Sequence, residues 1–349
     1  MTERDRPQGG ATGLALGRRV LSLPTLVSFA VAVALVAFLL TRFRVDLSST
    51  WDTVRQSNLA LYLLAVAVHY LTFVFRGARW RLLLANAKDG PAESPAARVS
   101  ALHCGQLILL SWFVNCISWF RVGDAYRGYA YTEDTGSPFS RTMGTILAER
   151  VLDVVMVVIL VSLAALVLYL EGTGPAPIFL AMALAMLAVS VAALVAMRLV
   201  RARLAHLLPE RLERAYHRFH QGTMGSFRRL HWVFLLGALA WVCEVGRLYL
   251  VVQAVGLPVG VGLLLFVPLA NALLTTIPLT PGGLGIVETG ITGLLMLALG
   301  REEAVAVALV DRSISYLSIV VVGGALFAAR HLSRARRSRG RPYPVTGAE

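Results

Sequence analysis

The residues able to do chemistry in this chain are charges placed where charges are costly. Glu149, Arg150 and Asp153 stand near the start of the apolar run Thr145–Leu170. Glu149 and Asp153 are four residues apart and share a helix face, and Arg150 is three from Asp153. If the helix begins near Arg141, Glu149 lies roughly 10 Å inside a membrane. Glu244 and Arg247 form an i, i+3 pair near the middle of Trp232–Val255. Asp311-Arg312 sits in Glu302–Ala329, followed by Ser313, Ser315 and Ser318. An ionisable side chain inside a span costs roughly 2.5–3.5 kcal/mol on insertion scales, so such residues pair with one another or line a wet cavity. Each group therefore reads either as a neutralised strut between helices or as a contact for a charged substrate. Around Glu149 two carboxylates face one arginine, leaving an acid over, which Arg121 or Arg127 would complete.

Two further stretches carry polar chemistry. In Arg121-Val-Gly123-Asp124-Ala-Tyr-Arg127 two guanidinium forks are suited to a phosphate, with a solvated interfacial loop as the alternative. In Ile277–Glu288 two prolines and three glycines interrupt an apolar region. Pro278 and Pro281 stop a helix, and Gly282, Gly283 and Gly285 let the chain reverse with backbone N–H groups uncovered. That turn would serve as a nest for an anion or as a hinge. It is not a P-loop, because no Gly-Lys-Ser/Thr follows. Glu288 places a carboxylate just past the break.

The elements that must position these groups are membrane helices. Of 349 residues, 57% are hydrophobic and 15% charged, with mean hydropathy +0.68. A soluble domain is about 25% charged. One membrane domain, residues 18–329, is expected between a polar, disordered N-terminus (1–17) and a basic tail (330–349). The net charge of +13 lies in loops and tail, where the positive-inside rule puts it, so it does not point to nucleic acid. Lys88 is the one lysine; a GC-rich genome produces that arginine bias as readily as phosphate binding does. Cys104, Cys116 and Cys243 match no zinc or redox spacing and read as small buried apolar residues, so no metal or cofactor is expected. The run Val20–Leu40 after Arg18-Arg19 is too long for a signal peptide and reads as an uncleaved span.

In chain order, Ser22–Leu40 is the first span, entered from the cytoplasm, and Leu59–Phe75 the second. The second ends in a basic, aromatic interfacial cluster, Arg76-Gly-Ala-Arg79-Trp80-Arg81. Val99–Phe120 has cytoplasm-like charge on both flanks, which predicts a re-entrant hairpin; a full span is the alternative. Thr145–Leu170 and Ile178–Met197 are spans, and Arg198–Arg229 is a long basic loop, part of it an amphipathic interfacial helix. Trp232–Val255 is a span, Pro258–Leu299 a second broken hairpin, and Glu302–Ala329 the last span. The fold expected is an all-α polytopic membrane protein of about six full spans of roughly 20 residues plus two re-entrant hairpins, one from each face. Both termini would be cytoplasmic at the inner membrane. The layout is like that of transporters whose halves meet at a midplane site.

On these residues the chain resembles the lysylphosphatidylglycerol synthase transmembrane region family, also called flippase-like or UPF0104 membrane proteins. The resemblance covers nearly the whole chain. It rests on Arg76-x-x-Arg79-Trp80, on Asn115 followed by Arg121-x-Gly123-Asp124-x-x-Arg127, on Glu149-Arg150-x-x-Asp153, on Pro281-Gly-Gly-x-Gly285-x-x-Glu288, and on Arg312. The family usually has a proline just before the first-hairpin arginine, where this chain has Trp119-Phe120. The resemblance implies translocation of lipid between leaflets rather than lipid synthesis, since no soluble stretch is long enough to bury a core.

The leading expectation is a lipid translocase that moves a polar or phosphate-bearing headgroup through an intramembrane cavity. Arg121, Arg127 and Arg150 would meet the phosphate. Asp124, Glu149, Asp153 and Glu288 would pair with those arginines, contact a cationic headgroup or take up protons. The candidate substrate-binding set is completed by Arg79, Asn115, Glu244, Arg247, Gly282, Gly283, Gly285 and Arg312. Its partners would be anionic phospholipids or lipid-linked substrates. The rivals are a lipid-modifying membrane enzyme, which paired carboxylates would permit although no nucleophile or metal motif is found, and a scaffold for envelope-synthesis enzymes.

Overall fold

The computed structural model describes Asp52 and residues 54–87, 99–118, 120–170, 177–203, 209–276 and 280–339. The predicted first span Ser22–Leu40, residues 1–17, Lys88, Arg98, Trp119, Pro278 and the last ten residues of the tail lie outside the described residues.

Helix α1 (Leu59–Asn86) begins at Asn58, whose side chain accepts hydrogen bonds from the Ala60 and Leu61 N–H groups. It has 28 residues, about 42 Å at 1.5 Å per residue, and so exceeds a hydrocarbon core of about 30 Å. This corrects the predicted end at Phe75. Arg76, Arg79 and Trp80 are not an exposed fringe; they are buried in a helix that continues to Asn86. The arginines are tolerated there because carboxylates from other helices meet them, as described below.

Helix α2 (Ala101–Ile117) starts at Ser100, whose hydroxyl takes the His103 N–H. It turns back into α3 (Val122–Thr135), so that His103 Nε2 lies 2.9 Å from Asp134 at the open end of the hairpin. Asn115 Oδ1 accepts from the Gly123 N–H at 2.8 Å, next to the turn. A Cβ on Gly123 would stand 1.9 Å from the Ser111 carbonyl oxygen, so only glycine lets the two arms close. Phe120 (φ 59°) and Arg121 (φ 53°) make the turn in the left-handed region without glycine, a conformation that costs about 1–3 kcal/mol per residue. This corrects the predicted hairpin: Val99–Phe120 does not turn back within itself but is one arm and the turn, and the return arm is α3, whose Arg121–Arg127 stretch reads in sequence as a flank.

Helix α4 (Phe139–Leu170) is followed by α5 (Pro177–Arg203) and by the amphipathic α6 (Glu210–Ser226), which packs on the first turns of α4. Helix α7 (Leu230–Val255) runs antiparallel to α1. The pair is fixed at one end by the Asn58 N–H donating to the Ala254 carbonyl (2.7 Å) and at the other by Asn86 Nδ2 donating to the Arg228 carbonyl (2.6 Å). The second hairpin is α8 (Val261–Thr276), a short turn at Pro281–Gly283 and α9 (Ile286–Leu295). Helix α10 (Arg301–Arg312) continues through a π-helical turn (Ser313–Leu317) into α11 (Ser318–Arg339).

Among the described residues α1, α4, α7 and the continuous α10–α11 are long and apolar enough to cross a membrane, and α5 adds a 27-residue helix. The molecule is an all-helical, polytopic membrane protein. Leucines 63, 163 and 166 stay exposed outside, whereas Arg79, Arg127, Glu149, Arg247 and Asp311 are buried inside. That inversion suits hydrocarbon as solvent: apolar side chains face lipid and charges face one another.

Candidate functional site

The interior charges form three networks. In the first, Glu149 of α4 is met by Arg79 of α1 (3.5 Å), Arg127 of α3 (3.0 Å) and Arg150 (3.7 Å). Asp153 is met by Arg79 (2.5 Å) and Arg150 (3.4 Å), and Asp124 by Arg150 (3.4 Å) and Arg127 (3.9 Å). The acid expected to be left over near Glu149 therefore has partners. Arg127 supplies one, as anticipated, and Arg79 supplies the other from a helix thought to have ended. Trp80 closes the floor, its Nε1 donating to Thr145 and its ring 4.5 Å from the Arg127 guanidinium carbon.

In the second network the predicted Glu244/Arg247 pair of α7 is present at 3.3 Å, and it reaches further. Arg76 of α1 lies 3.7 Å from Glu244, and Asp311 of α10 lies 2.9 Å from Arg247. In the third, Arg312 Nε donates to Glu288 at 2.6 Å and its NH2 to the Gly282 carbonyl at 3.0 Å. Glu288 also accepts from the Gly285 N–H at 2.6 Å, and the Gly283 N–H donates to the Thr280 carbonyl. Those two N–H groups of the glycine turn are thus already bonded within the chain, so it is braced by Glu288 and Arg312 rather than presented as an open anion nest.

Six arginines and six carboxylates are paired in these networks. Arg121, at the tip of the first hairpin, is the exception. Among the described residues no carboxylate makes an ion pair with it, and Asp124 and Asp153 act on it only at longer range.

Arg121 opens onto a cavity of about 290 Å³ between the two hairpin tips. Its charged lining is uneven. Arg76, Arg121, Arg150, Arg247 and Arg312 face it, against Asp153 and Glu244. Apolar side chains share the lining, with Val154, Val157, Met186, Pro268 and Leu273 from α4, α5 and α8. The tips touch at its base: Tyr316, from the π-helical turn, donates to the Cys116 carbonyl (3.2 Å) at the end of α2. Its ring edge is so close to Gly282 that a Cβ there would meet it at 2.4 Å, and Arg312 lies 4.8 Å from the ring centroid. A π-turn adds a residue to one helical turn and re-aims side chains, here bringing Arg312 and Tyr316 to both hairpins.

Of the candidate set, Asn115, Arg121, Arg150, Asp153, Glu244, Arg247, Gly282, Gly283 and Arg312 line the cavity. Arg79, Asp124, Arg127, Glu149, Gly285 and Glu288 are not in its lining and hold the lining residues in place. Sequence reasoning missed His69, Arg76, Asn271 and Tyr316 as cavity residues. His69 and Arg76 are seven residues apart, two helical turns on one face, and that spacing was readable once α1 was carried past Phe75.

The family model described as the lysylphosphatidylglycerol synthase TM region matches residues 25–323. A UPF0104 membrane protein of Methanocaldococcus jannaschii is 29% identical over 221 residues, covering 62% of this chain and 93% of the relative. One from Methanothermobacter thermautotrophicus is 25% identical over 335 residues (86% of this chain, 91% of the relative), and one from Pyrococcus horikoshii is 24% identical over 326 residues (85% and 94%). With the match running through the cavity helices and both hairpins, the chain belongs to the lysylphosphatidylglycerol synthase TM region family of membrane proteins.

Proposed function

We propose that the protein is a lipid translocase: the cavity receives the anionic, phosphate-bearing headgroup of a membrane lipid and passes it across the bilayer while the acyl chains stay in lipid. The observation that carries this reading is Arg121. An arginine at a hairpin tip, with no carboxylate partner among the described residues and facing a cavity, is a costly arrangement unless an anion compensates it. The guanidinium fork matches a phosphate, and Arg150 and Arg312 in the same lining add further donors. The apolar side chains in the same lining suit the part of an amphiphile next to its headgroup.

The same geometry favours carriage over a chemical step. A general acid or base needs a carboxylate able to exchange a proton with substrate. Both cavity carboxylates, Asp153 and Glu244, are each tied to two arginines. The arginine-rich ends of α1 and α11 favour the cytoplasmic side of an inner membrane for that end of the bundle. The reading is tested with the purified chain in phosphatidylcholine vesicles carrying a trace of tail-labelled fluorescent phosphatidylglycerol. Access of an external quencher to the inner-leaflet probe is expected only in vesicles that hold the protein. Quenching that stops at the outer leaflet overturns the proposal, and release of the headgroup would point to an enzyme.

A further inference from the structure

We infer that the headgroup taken by this cavity is a phosphodiester bearing neutral hydroxyl groups, of the sugar or polyol kind, and that an ammonium-bearing headgroup is disfavoured. The inference rests on the lipid-headgroup reading above and deepens it.

The charge inventory argues first. A headgroup with an ammonium needs a carboxylate free to receive it. Asp153 already meets Arg79 and Arg150, and Glu244 meets Arg76 and Arg247. The phosphate balances Arg121, the one lining arginine without an acid among the described residues, and no acid is then left over for a second cation entering beside it.

The neutral polar groups of the wall argue second. His69 lines the cavity with its side chain wholly buried, and neither ring nitrogen has a hydrogen-bond partner among the described residues. Arg76 and Arg247 are the charges acting on it, and it contacts the rings of Tyr70, Phe73 and Trp112, none of which pairs with its nitrogens. A neutral imidazole has one donor and one acceptor to offer. Asn271 Oδ1 of α8 and Thr280 Oγ1 at the second hairpin tip also line the cavity without partners among the described residues. Buried polar atoms are normally satisfied, and four unmet ones on three side chains of one cavity lining mark where a ligand's polar atoms belong. Neutral groups that both donate and accept are complementary to hydroxyls, which do the same.

The test uses the full chain in detergent and three dioctanoyl lipids that share the phosphodiester: phosphatidylinositol (hydroxyls, no cation), phosphatidylmethanol (neither) and phosphatidylethanolamine (ammonium). Affinities are read by titration calorimetry. Phosphatidylinositol is expected to bind at least about tenfold tighter than phosphatidylmethanol, as two or so added hydrogen bonds allow, and phosphatidylethanolamine weakest. His69→Phe and Asn271→Leu should each erase most of that preference while leaving phosphatidylmethanol affinity as in the wild type, which also reports that the variant is folded. Equal binding of phosphatidylinositol and phosphatidylmethanol, tight binding of phosphatidylethanolamine, or a preference that survives both substitutions overturns the inference while the lipid reading stands. Binding of none of the three overturns both.

Discussion

The Arg127 guanidinium lies 3.0 Å from the Glu149 carboxylate, and each side chain is only 1% exposed. A pair so buried stabilises little against an apolar replacement of the same shape, but breaking it from one side leaves a bare charge in a dry interior. Glu149→Gln should therefore act mainly on stability, by about 3–5 kcal/mol, because Arg79 and Arg127 both lose a carboxylate. Thermal unfolding in detergent measures it. A Glu149→Gln protein that melts like the wild type yet has lost lipid movement would move Glu149 from scaffold to site.

The closure of the first hairpin depends on a missing side chain. Gly123→Ala sets a methyl against the Ser111 carbonyl and disturbs the Asn115 hydrogen bond at the turn. The expected result is a marked loss of folded, monodisperse protein in size-exclusion chromatography. Gly136→Ala is the contrast: nothing lies within 4 Å of that added Cβ, so only the strain of φ 69° applies, on the order of 1 kcal/mol.

The hairpin itself has a direct check. His103 and Asp134 touch, so cysteines at both positions in a chain lacking Cys104, Cys116 and Cys243 should be joined by a short thiol cross-linker. The link holds α2 and α3 together after proteolysis between them. Were Val99–Phe120 a full span, the two thiols would sit on opposite faces and no link would form.

Asp134 also sets a pH dependence outside the spans. Burial disfavours its charged form, but hydrogen bonds from His103 and Arg330 outweigh burial and hold its carboxyl well below the usual range. A carboxylate whose pKa is depressed by folding adds stability above its unfolded pKa and loses it as pH falls toward the folded value. The difference in melting temperature between wild type and Asp134→Asn should thus be largest near neutral pH and shrink below about pH 4. A difference that grows on acidification would contradict the assignment.

Much of this layout was legible in the residues because local spacing encodes it. The i, i+3 relation of Glu244 and Arg247 and of Arg150 and Asp153 survives intact in the structure. The Pro281–Gly285 break reads as a turn because glycine and proline act locally. The first hairpin was legible only in part: its charges place Arg121 and Arg127 on the flank of a hairpin inside Val99–Phe120, whereas that segment is one arm, Arg121 is the tip and α3 is the return arm. What was not legible depends on partners far along the chain. Arg79 follows an apolar run and precedes a tryptophan, which in sequence is indistinguishable from an interfacial anchor. Its acids lie 70 and 74 residues away, and only the packing of α1 against α4 shows the pairing. The role of Tyr316 depends on a π-turn and on the meeting of two hairpin tips, neither of which has a local signal. Arg121 looked equivalent to Arg127 in sequence. The fold separates them, pairing Arg127 with Glu149 and leaving Arg121 at the cavity.

That separation is the most direct test. Arg121→Gln keeps a polar side chain and a non-glycine backbone at the hairpin tip and removes the charge that no carboxylate among the described residues balances. Transbilayer movement of fluorescent phosphatidylglycerol should be measured for wild type and Arg121→Gln in the same vesicles, with melting temperatures alongside. The expected result is a rate lowered about tenfold or more, as loss of a charge-assisted hydrogen bond implies, with the melting temperature unchanged or raised. A variant that moves the lipid as fast as the wild type would contradict the account.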